Sequence, residues 1–140
     1  VERDILLSRA HLQAGDAARA LALARGAQEQ IITSPARGQF PALEAEASVQ
    51  LAHAQLASGD ATNARAYAER ALALRRELSH PSSPWLAEAH LALADAQLAS
   101  GETARARDNV ARARAALSAQ GDVSDQFRQP LLALARRISN

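Results

Sequence analysis

The sequence predicts an all-α fold, namely a right-handed α-solenoid of three helical hairpins followed by a C-terminal closing helix. Three observations lead to this prediction. Alanine and leucine dominate the composition, whereas aromatic residues make up only 3%, and this mixture favours helices over strands. Apolar residues recur with a helical period along most of the chain. A glycine-centred segment also returns at regular intervals, which is the signature of a repeat protein.

The repeated segment marks a turn between two helices. It runs from Leu12 to Asp16, from Leu56 to Asp60 and from Leu98 to Glu102, with its glycines 44 and 42 residues apart. Glycine just after a helix accepts the left-handed conformation that closes it. The acidic residue that follows can cap the next helix or interact favourably with its dipole. Each unit is therefore predicted to be a helical hairpin.

The apolar period and the helix breakers between units set the predicted bounds. Pro41 and Pro84 each follow a link rich in Ser, Pro or Gly and are placed to open the next helix. We predict helices over residues 3–14, 17–32, 41–58, 61–78, 84–100, 103–118 and 125–138. The last has an apolar face of Leu131, Leu134, Ala135 and Ile138, with Pro130 in its first turn. Whether it caps the stack or begins a fourth hairpin is left open.

Alanines recur where two helix backbones are expected to approach closely, because a larger side chain would force them apart. These positions are Ala20, Ala64 and Ala106, and again Ala27, Ala71 and Ala113.

Several classes of function are excluded or disfavoured by composition. The chain has no cysteine, its net charge is +1, and no stretch approaches the ~20 apolar residues that span a bilayer. The four histidines, His11, His53, His80 and His90, lack the helical spacing of a metal-ligand pair. No nucleophile motif is present. We expect no catalytic residue, no cofactor and no metal.

The repeats resemble the tetratricopeptide repeat. The resemblance rests on Leu7, Leu51 and Leu93, on the small residues directly after them, on the turn glycines and on the paired alanines. The period exceeds the usual ~34 residues, and the run from Arg70 through His80-Pro81 to Leu86-Ala87 is similar to the kinesin-light-chain style of repeat, which bacterial signalling proteins often carry. The aromatic residue common in the first helix is replaced here by His11, Gln55 and Gln97.

The resemblance implies that the first helices of successive hairpins line a concave groove that holds a peptide. The residues expected to face this groove are Glu2, Ile5, Arg9, Glu46, Val49, Gln50, His53, Glu88, Leu91 and Asp95. This surface is mixed but acidic, so a basic or amphipathic ligand fits it. It lacks the lysine and asparagine cluster of chaperone-docking members.

The aromatic and arginine residues are expected to have structural roles rather than roles in ligand binding. Phe40, Trp85 and Phe127 stand at helix entries, where they are expected to act as packing staples. Arginines concentrate in the second half of the chain, interleaved with acids, and are expected to form a solvated, salt-bridged face. They are Arg65, Arg70, Arg75, Arg76, Arg105, Arg107, Arg112, Arg114, Arg136 and Arg137.

The sequence thus predicts one domain over residues 1–140, with units at about 1–40, 41–83 and 84–122 and a closing helix at 123–140. It begins without methionine, and we expect a piece of a larger, cytoplasmic bacterial signalling or regulatory protein. Its expected function is a protein-binding or peptide-binding scaffold or sensory module. Two alternatives stay open: a transcription-regulator domain that contacts nucleic acid through its arginine face, and a small-ligand sensor. Pairing of copies through the terminal helices also stays open.

Overall fold

A computed structural model describes residues 1–139, and within them it contains seven helices and no strand. The helices are α1 (Glu2–Gln13), α2 (Ala17–Thr33), α3 (Pro41–Ala57), α4 (Ala61–Leu78), α5 (Pro84–Ala99), α6 (Thr103–Gln120) and α7 (Asp125–Ser139). Every end lies within two residues of its predicted position. The predicted all-α hairpin architecture is confirmed.

The turns inside the hairpins use the predicted chemistry in two of three cases. The three turn glycines have φ angles of 82°, 85° and 78°, in the left-handed region that side chains disfavour. Asp16 and Asp60 each accept a hydrogen bond of 3.0 Å from the backbone N–H three residues later. Glu102 makes no such cap. Of the two roles predicted for Glu102, the cap is therefore not formed, and its carboxylate binds the guanidinium groups of Arg65 and Arg105.

The helices form two layers, and neighbouring helices lie closer together in one layer than in the other. Each helix packs against the next one along the chain, and α3 also packs against α1 and α5, as α5 does against α7. Within residues 1–139 no two of the even-numbered helices pack against each other. The odd-numbered helices therefore form the tighter, inner layer and the even-numbered helices the wider, outer layer, so the stack curves as a solenoid does.

Alanine-sized contacts hold the layers together, as predicted. All six repeated alanines are fully buried: Ala20, Ala27, Ala64, Ala71, Ala106 and Ala113. Leu51 of α3 packs on Ala20 and Ala24 of α2, and Leu93 of α5 packs on Ala68 and Ala71 of α4. A leucine of α3 and one of α5 thus pack on alanines of the preceding second helix, where small side chains let the backbones come close.

The last helix takes the position of a hairpin's first helix. Leu131 and Leu134 pack on Ala113 and Leu117 of α6, with Ala135 and Ile138 beside them. At the repeat spacing of 42, Leu131, Leu134 and Ala135 correspond to Ala89, Ala92 and Leu93, by which α5 packs on α4. Pro130 lies in the second turn rather than the first, since α7 begins at Asp125, so the predicted placement was one turn too early.

The side of α1 that carries Leu6 and Leu7, called here the outer face of α1, is exposed, whereas the equivalent sides of α3 and α5 are buried. Leu6 and Leu7 are 60% and 42% exposed, whereas Leu51 and Leu93, which correspond to Leu7, are 0% and 6% exposed. The second helix of the preceding hairpin covers α3 and α5 at this point, and no helix in residues 1–139 does so for α1. No helix of residues 1–139 is both long enough and apolar enough to cross a membrane.

Candidate ligand-binding groove

The ten residues predicted to face the groove divide by burial. Glu2 is exposed, and the charged or polar side chains of Arg9, Glu46, His53, Glu88 and Asp95 are half-buried on the inner layer. Ile5, Val49 and Gln50 are buried. Ile5 packs on Ala27 and Ala47, and Val49 packs against α4, so both side chains point between the helices. The side chains of Ile5 and Val49 thus lie in the contacts between helices, and Leu91 is buried as well. Whether any of the ten residues contacts a ligand stays a prediction.

A cavity of about 170 Å³ lies on the inner layer, between α3, α5 and α7. Four predicted groove residues line it: His53, Glu88, Leu91 and Asp95. The opposite wall is formed by Gln126, Phe127, Pro130, Ala133, Leu134 and Arg137 of α7. The structure thus brings together the last four of the ten predicted residues and adds a wall from α7 that the repeat pattern did not indicate.

Charges on the inner layer are balanced rather than acidic. Arg9 Nη2 lies 3.6 Å from Glu46 Oε1. Arg137 Nη1 donates to Asp95 Oδ1 across 2.6 Å. Glu88 feels the positive charges of both Arg9 and Arg75. The expected acidic surface is therefore offset by arginines from α1, α4 and α7, and a basic ligand gains little from long-range attraction.

Glu88 is the least satisfied acid of the groove. Its Oε1 atom is buried and has no hydrogen-bond partner. Burial raises the pKa of this carboxyl above its ordinary value; the charges of Arg9 and Arg75 oppose the rise, and that of Glu46 adds to it. An unpartnered buried carboxylate oxygen is costly, and the buried Arg9 Nη2 and Arg75 Nε atoms lack a hydrogen-bond partner as well.

His53 forms a neutral part of the same wall. Burial lowers the pKa of its imidazole; Asp95 opposes this effect and Arg9 adds to it. A neutral imidazole offers one donor nitrogen and one acceptor nitrogen. The cavity therefore combines a buried acid, a neutral imidazole and a rim ion pair with apolar walls.

Two of the three aromatic residues at the helix entries, Trp85 and Phe127, pack against each other between units. The rings of Trp85 and Phe127 meet edge to face with centroids 5.0 Å apart, and the Arg75 guanidinium lies 5.3 Å from the Trp85 ring centroid. Trp85 thus joins α5 to α7, one repeat further on. Phe40 is 61% exposed, so its predicted role as a packed staple is wrong.

The outer arginines form the predicted salt-bridged face. Arg65 pairs with Glu69 at 3.0 Å, Arg105 with Glu102 at 2.8 Å and Arg112 with Asp108 at 3.3 Å. Arg70 reaches Glu44 of α3, with its Nε 3.0 Å from Oε1. Arg75 is buried beside Trp85. Within residues 1–139, Arg76, Arg107, Arg114 and Arg136 form no salt bridge, so the prediction holds for only part of the set.

A buried polar chain between α5 and α6 was not predicted. His90 Nδ1 lies 2.8 Å from Asn109 Oδ1, and Asn109 Nδ2 donates to Gln97 Oε1 across 2.9 Å. Burial lowers the pKa of His90, although the bond to Asn109 opposes this. Gln97 stands where the first helix of a tetratricopeptide repeat commonly has an aromatic residue. It therefore serves as a hydrogen-bond acceptor inside the third hairpin.

Comparison with known proteins agrees with this architecture. A sequence model described as tetratricopeptide repeat matches residues 43–119, a span that runs from the first turn of α3 almost to the end of α6. Neither a curated protein nor a solved structure matched the chain. The matched residues make up more than half of the sequence and contain almost all of two hairpins, with the turn glycines Gly59 and Gly101. The chain therefore belongs to the tetratricopeptide repeat family.

Proposed function

We propose that this chain is a binding scaffold for a peptide or for an extended segment of another protein, and that the ligand lies along the inner layer and enters the cavity between α3, α5 and α7. Tetratricopeptide repeats generally mediate protein–protein interaction, and the family is a non-catalytic repeat scaffold. The observation that carries the proposal is the cavity, because concave sites with apolar walls and a few polar groups are where ligands bind.

The composition of the cavity wall favours an amphipathic ligand. Leu91, Phe127 and Leu134 offer apolar surface, while Glu88 and His53 offer hydrogen-bonding groups. A ligand that alternates apolar and polar side chains satisfies both parts of the wall. The charges along the rest of the inner layer are balanced. The overall charge of the ligand therefore affects its affinity less than the side chain that enters the cavity does.

Contact with nucleic acid is a weaker alternative. Three of the outer arginines that would reach phosphates, Arg65, Arg105 and Arg112, are held by carboxylates of the chain itself. Those ion pairs would have to open before a phosphate could bind.

By resemblance to the kinesin-light-chain style of repeat, we further propose that the chain is part of a larger bacterial signalling or regulatory protein. The domain that flanks it in the full-length protein tests this context directly.

We also propose that copies associate through the outer face of α1. The support is the exposure of Leu6 and Leu7 at positions that the repeat buries elsewhere. Apolar side chains side by side on an open helix favour pairing.

A display selection tests the main proposal. Peptides from a random library are selected on the immobilised domain, and their affinity is measured for the variant Ala133→Phe, which places a ring at the cavity rim. Ala115→Phe, at an exposed position of the outer helix α6, is the matched control. We expect at least about ten-fold weaker binding to Ala133→Phe and unchanged binding to Ala115→Phe. Equal binding to both variants would refute the location of the site.

A further inference from the structure

We propose that the groove where the inner helices α1, α3 and α5 begin binds an extended, proline-containing segment of the partner protein, with a basic residue next to the proline. This inference rests on the proposed scaffold function and adds a second contact to the cavity between α3, α5 and α7. It is carried by two exposed aromatic rings, by their place beside that cavity and by the charges of the groove.

Two exposed aromatic side chains line the same groove. Phe40 is 61% exposed and Trp85 is 39% exposed, and both line a groove of about 480 Å³ at the entries of α3 and α5. Further apolar surface comes from Pro41, Ala42 and Leu43. Scattered apolar side chains are ordinary on a protein surface, whereas several that share one concave place mark a site of interaction.

The ring of Trp85 is held in position by two neighbours. The Arg75 guanidinium lies 5.3 Å from its centroid, and Phe127 meets it edge to face at 5.0 Å. A wall that is already ordered loses little freedom when a ligand binds, which favours affinity. Phe127 also lines the cavity between α3, α5 and α7. The groove and the cavity therefore lie on either side of this aromatic pair, and one ligand can contact both.

A proline-containing segment suits this groove better than a helix does. The polyproline II conformation has no internal hydrogen bonds and is formed before binding, so it docks in aromatic-lined grooves at low entropic cost. It also advances about 3.1 Å per residue, twice the rise of an α-helix, so a short segment spans groove and cavity. A helix needs a continuous apolar stripe, which Glu2, Gln39 and Glu46 interrupt here.

The charges of the groove favour a basic residue in the ligand. Glu2 and Glu46 both line it. Glu46 has Arg9 at 3.6 Å, whereas Glu2 is exposed and forms no salt bridge within residues 1–139. A ligand cation can therefore pair with Glu2 without opening an ion pair of the chain. Because this pair is exposed to solvent, it contributes selectivity more than affinity.

Tryptophan fluorescence tests the inference at the groove itself, because Trp85 is the only tryptophan of the chain. The domain is titrated with acetyl-Pro-Pro-Arg-Pro-Pro-amide and with acetyl-Ala-Ala-Arg-Ala-Ala-amide. We expect a saturable shift of the emission to shorter wavelength with the proline peptide, and at least about ten-fold weaker binding of the alanine peptide. Equal binding of the two peptides, or no saturable shift at millimolar concentration, would overturn the inference.

A third peptide tests the charge of the groove. Acetyl-Pro-Pro-Glu-Pro-Pro-amide keeps the prolines and reverses the central charge, so we expect it to bind more weakly than the arginine peptide. Binding as tight as that of the arginine peptide would overturn the preference for a basic residue.

Two variants connect the effect to the aromatic groove. Phe40→Ser removes an exposed ring and should weaken the proline peptide at least about ten-fold. Leu132→Ser removes a side chain of α7 that is 43% exposed, and it should bind like the wild type. Unchanged binding to Phe40→Ser would overturn the site. Should Phe40→Ser unfold, as judged by circular dichroism, Ala42→Arg places bulk and positive charge at an exposed position of the groove, and unchanged binding to it contradicts the site.

The peptides from the display selection separate this inference from the proposed function. Selected peptides that lack proline, and that are weakened by Ala133→Phe but not by Phe40→Ser, would leave the scaffold function standing and refute the proline groove. Peptides that bind equally to the wild type, to Ala133→Phe and to Phe40→Ser would refute both.

Discussion

Arg137 of α7 donates a hydrogen bond from Nη1 to Oδ1 of Asp95 on α5 across 2.6 Å. The pair lies at the rim of the inner cavity, and both residues line it. It is a direct polar link between the last helix and the third hairpin. The position of α7 therefore decides whether the cavity has a second wall.

Removing this link should loosen α7 without unfolding the domain. The Arg137 side chain is half-exposed, so the pair is screened by solvent and contributes less than about 1 kcal/mol to the free energy of unfolding. We expect Arg137→Ala to speed amide hydrogen exchange in α7 while leaving α3 and α4 unchanged. Arg136→Ala is the control, because within residues 1–139 Arg136 bonds to the carbonyl of Leu132 in its own helix and to no other helix. Equal exchange in the two variants would show that the ion pair does not hold α7.

Glu88 should make stability depend on pH in a defined direction. Burial raises the pKa of Glu88 above its ordinary value of 4.5, so the native state holds this proton more tightly than the unfolded chain does. Its favourable contribution is complete below pH 4.5 and is lost as the pH rises through the native pKa. Glu88→Gln cannot ionise, so it should be more stable than wild type at pH 7.

The measurement is urea unfolding of Glu88→Gln and wild type between pH 7 and pH 5. The advantage of the variant should shrink as the pH is lowered towards 4.5, while Glu29→Gln, the same change at an exposed position of α2, should show no such trend. An advantage that grows on acidification would contradict the raised pKa.

The alanine contacts should tolerate no added bulk. Ala71 is fully buried and packs with Leu93 of the next hairpin. Ala71→Leu overfills this contact, and we expect it to lower the free energy of unfolding by about 1–3 kcal/mol. Ala66→Leu, at an exposed position of the same helix, should change it by less than about 0.5 kcal/mol. Urea unfolding measures both values, and equal losses would mean that the hairpins do not interlock at Ala71.

The exposed face of α1 should drive association of copies. Sedimentation velocity of the wild type should show a larger particle as the protein concentration rises, and the double variant Leu6→Glu, Leu7→Glu should stay monomeric. Leu132→Glu at the exposed side of α7 serves as the control and should associate like the wild type. A wild type that is monomeric at every concentration would refute this contact.

Local chemistry explains why the fold could be predicted from the sequence. Gly15 and Gly59 require left-handed backbone, and Asp16 and Asp60 bond to backbone N–H groups only three residues away. Both partners of each such contact lie within a few residues of each other in the sequence. Glu102 stands at the equivalent place, but Arg65, 37 residues earlier, engages its carboxylate. A partner so distant in sequence becomes visible only once the hairpins are stacked.

The site was predicted less fully because it depends on contacts between helices. Equivalent positions of the repeat indicated His53, Glu88 and Asp95, and these do line the cavity. Ile5 and Val49 share the same helical face in a projection, yet the approach of α2 and α4 buries them. The wall supplied by α7 follows from how Trp85 and Phe127 pack, which no pattern within one repeat encodes.

Hydrogen exchange of the domain with and without a selected peptide tests the central claim most directly. The claim is that the ligand lies on the inner layer and ends in the cavity between α3, α5 and α7. We predict that the peptide slows exchange in α3, in residues 88–95 and in α7, and leaves the outer helices α4 and α6 unchanged. Protection confined to α4 and α6, or to the outer face of α1, would contradict the account.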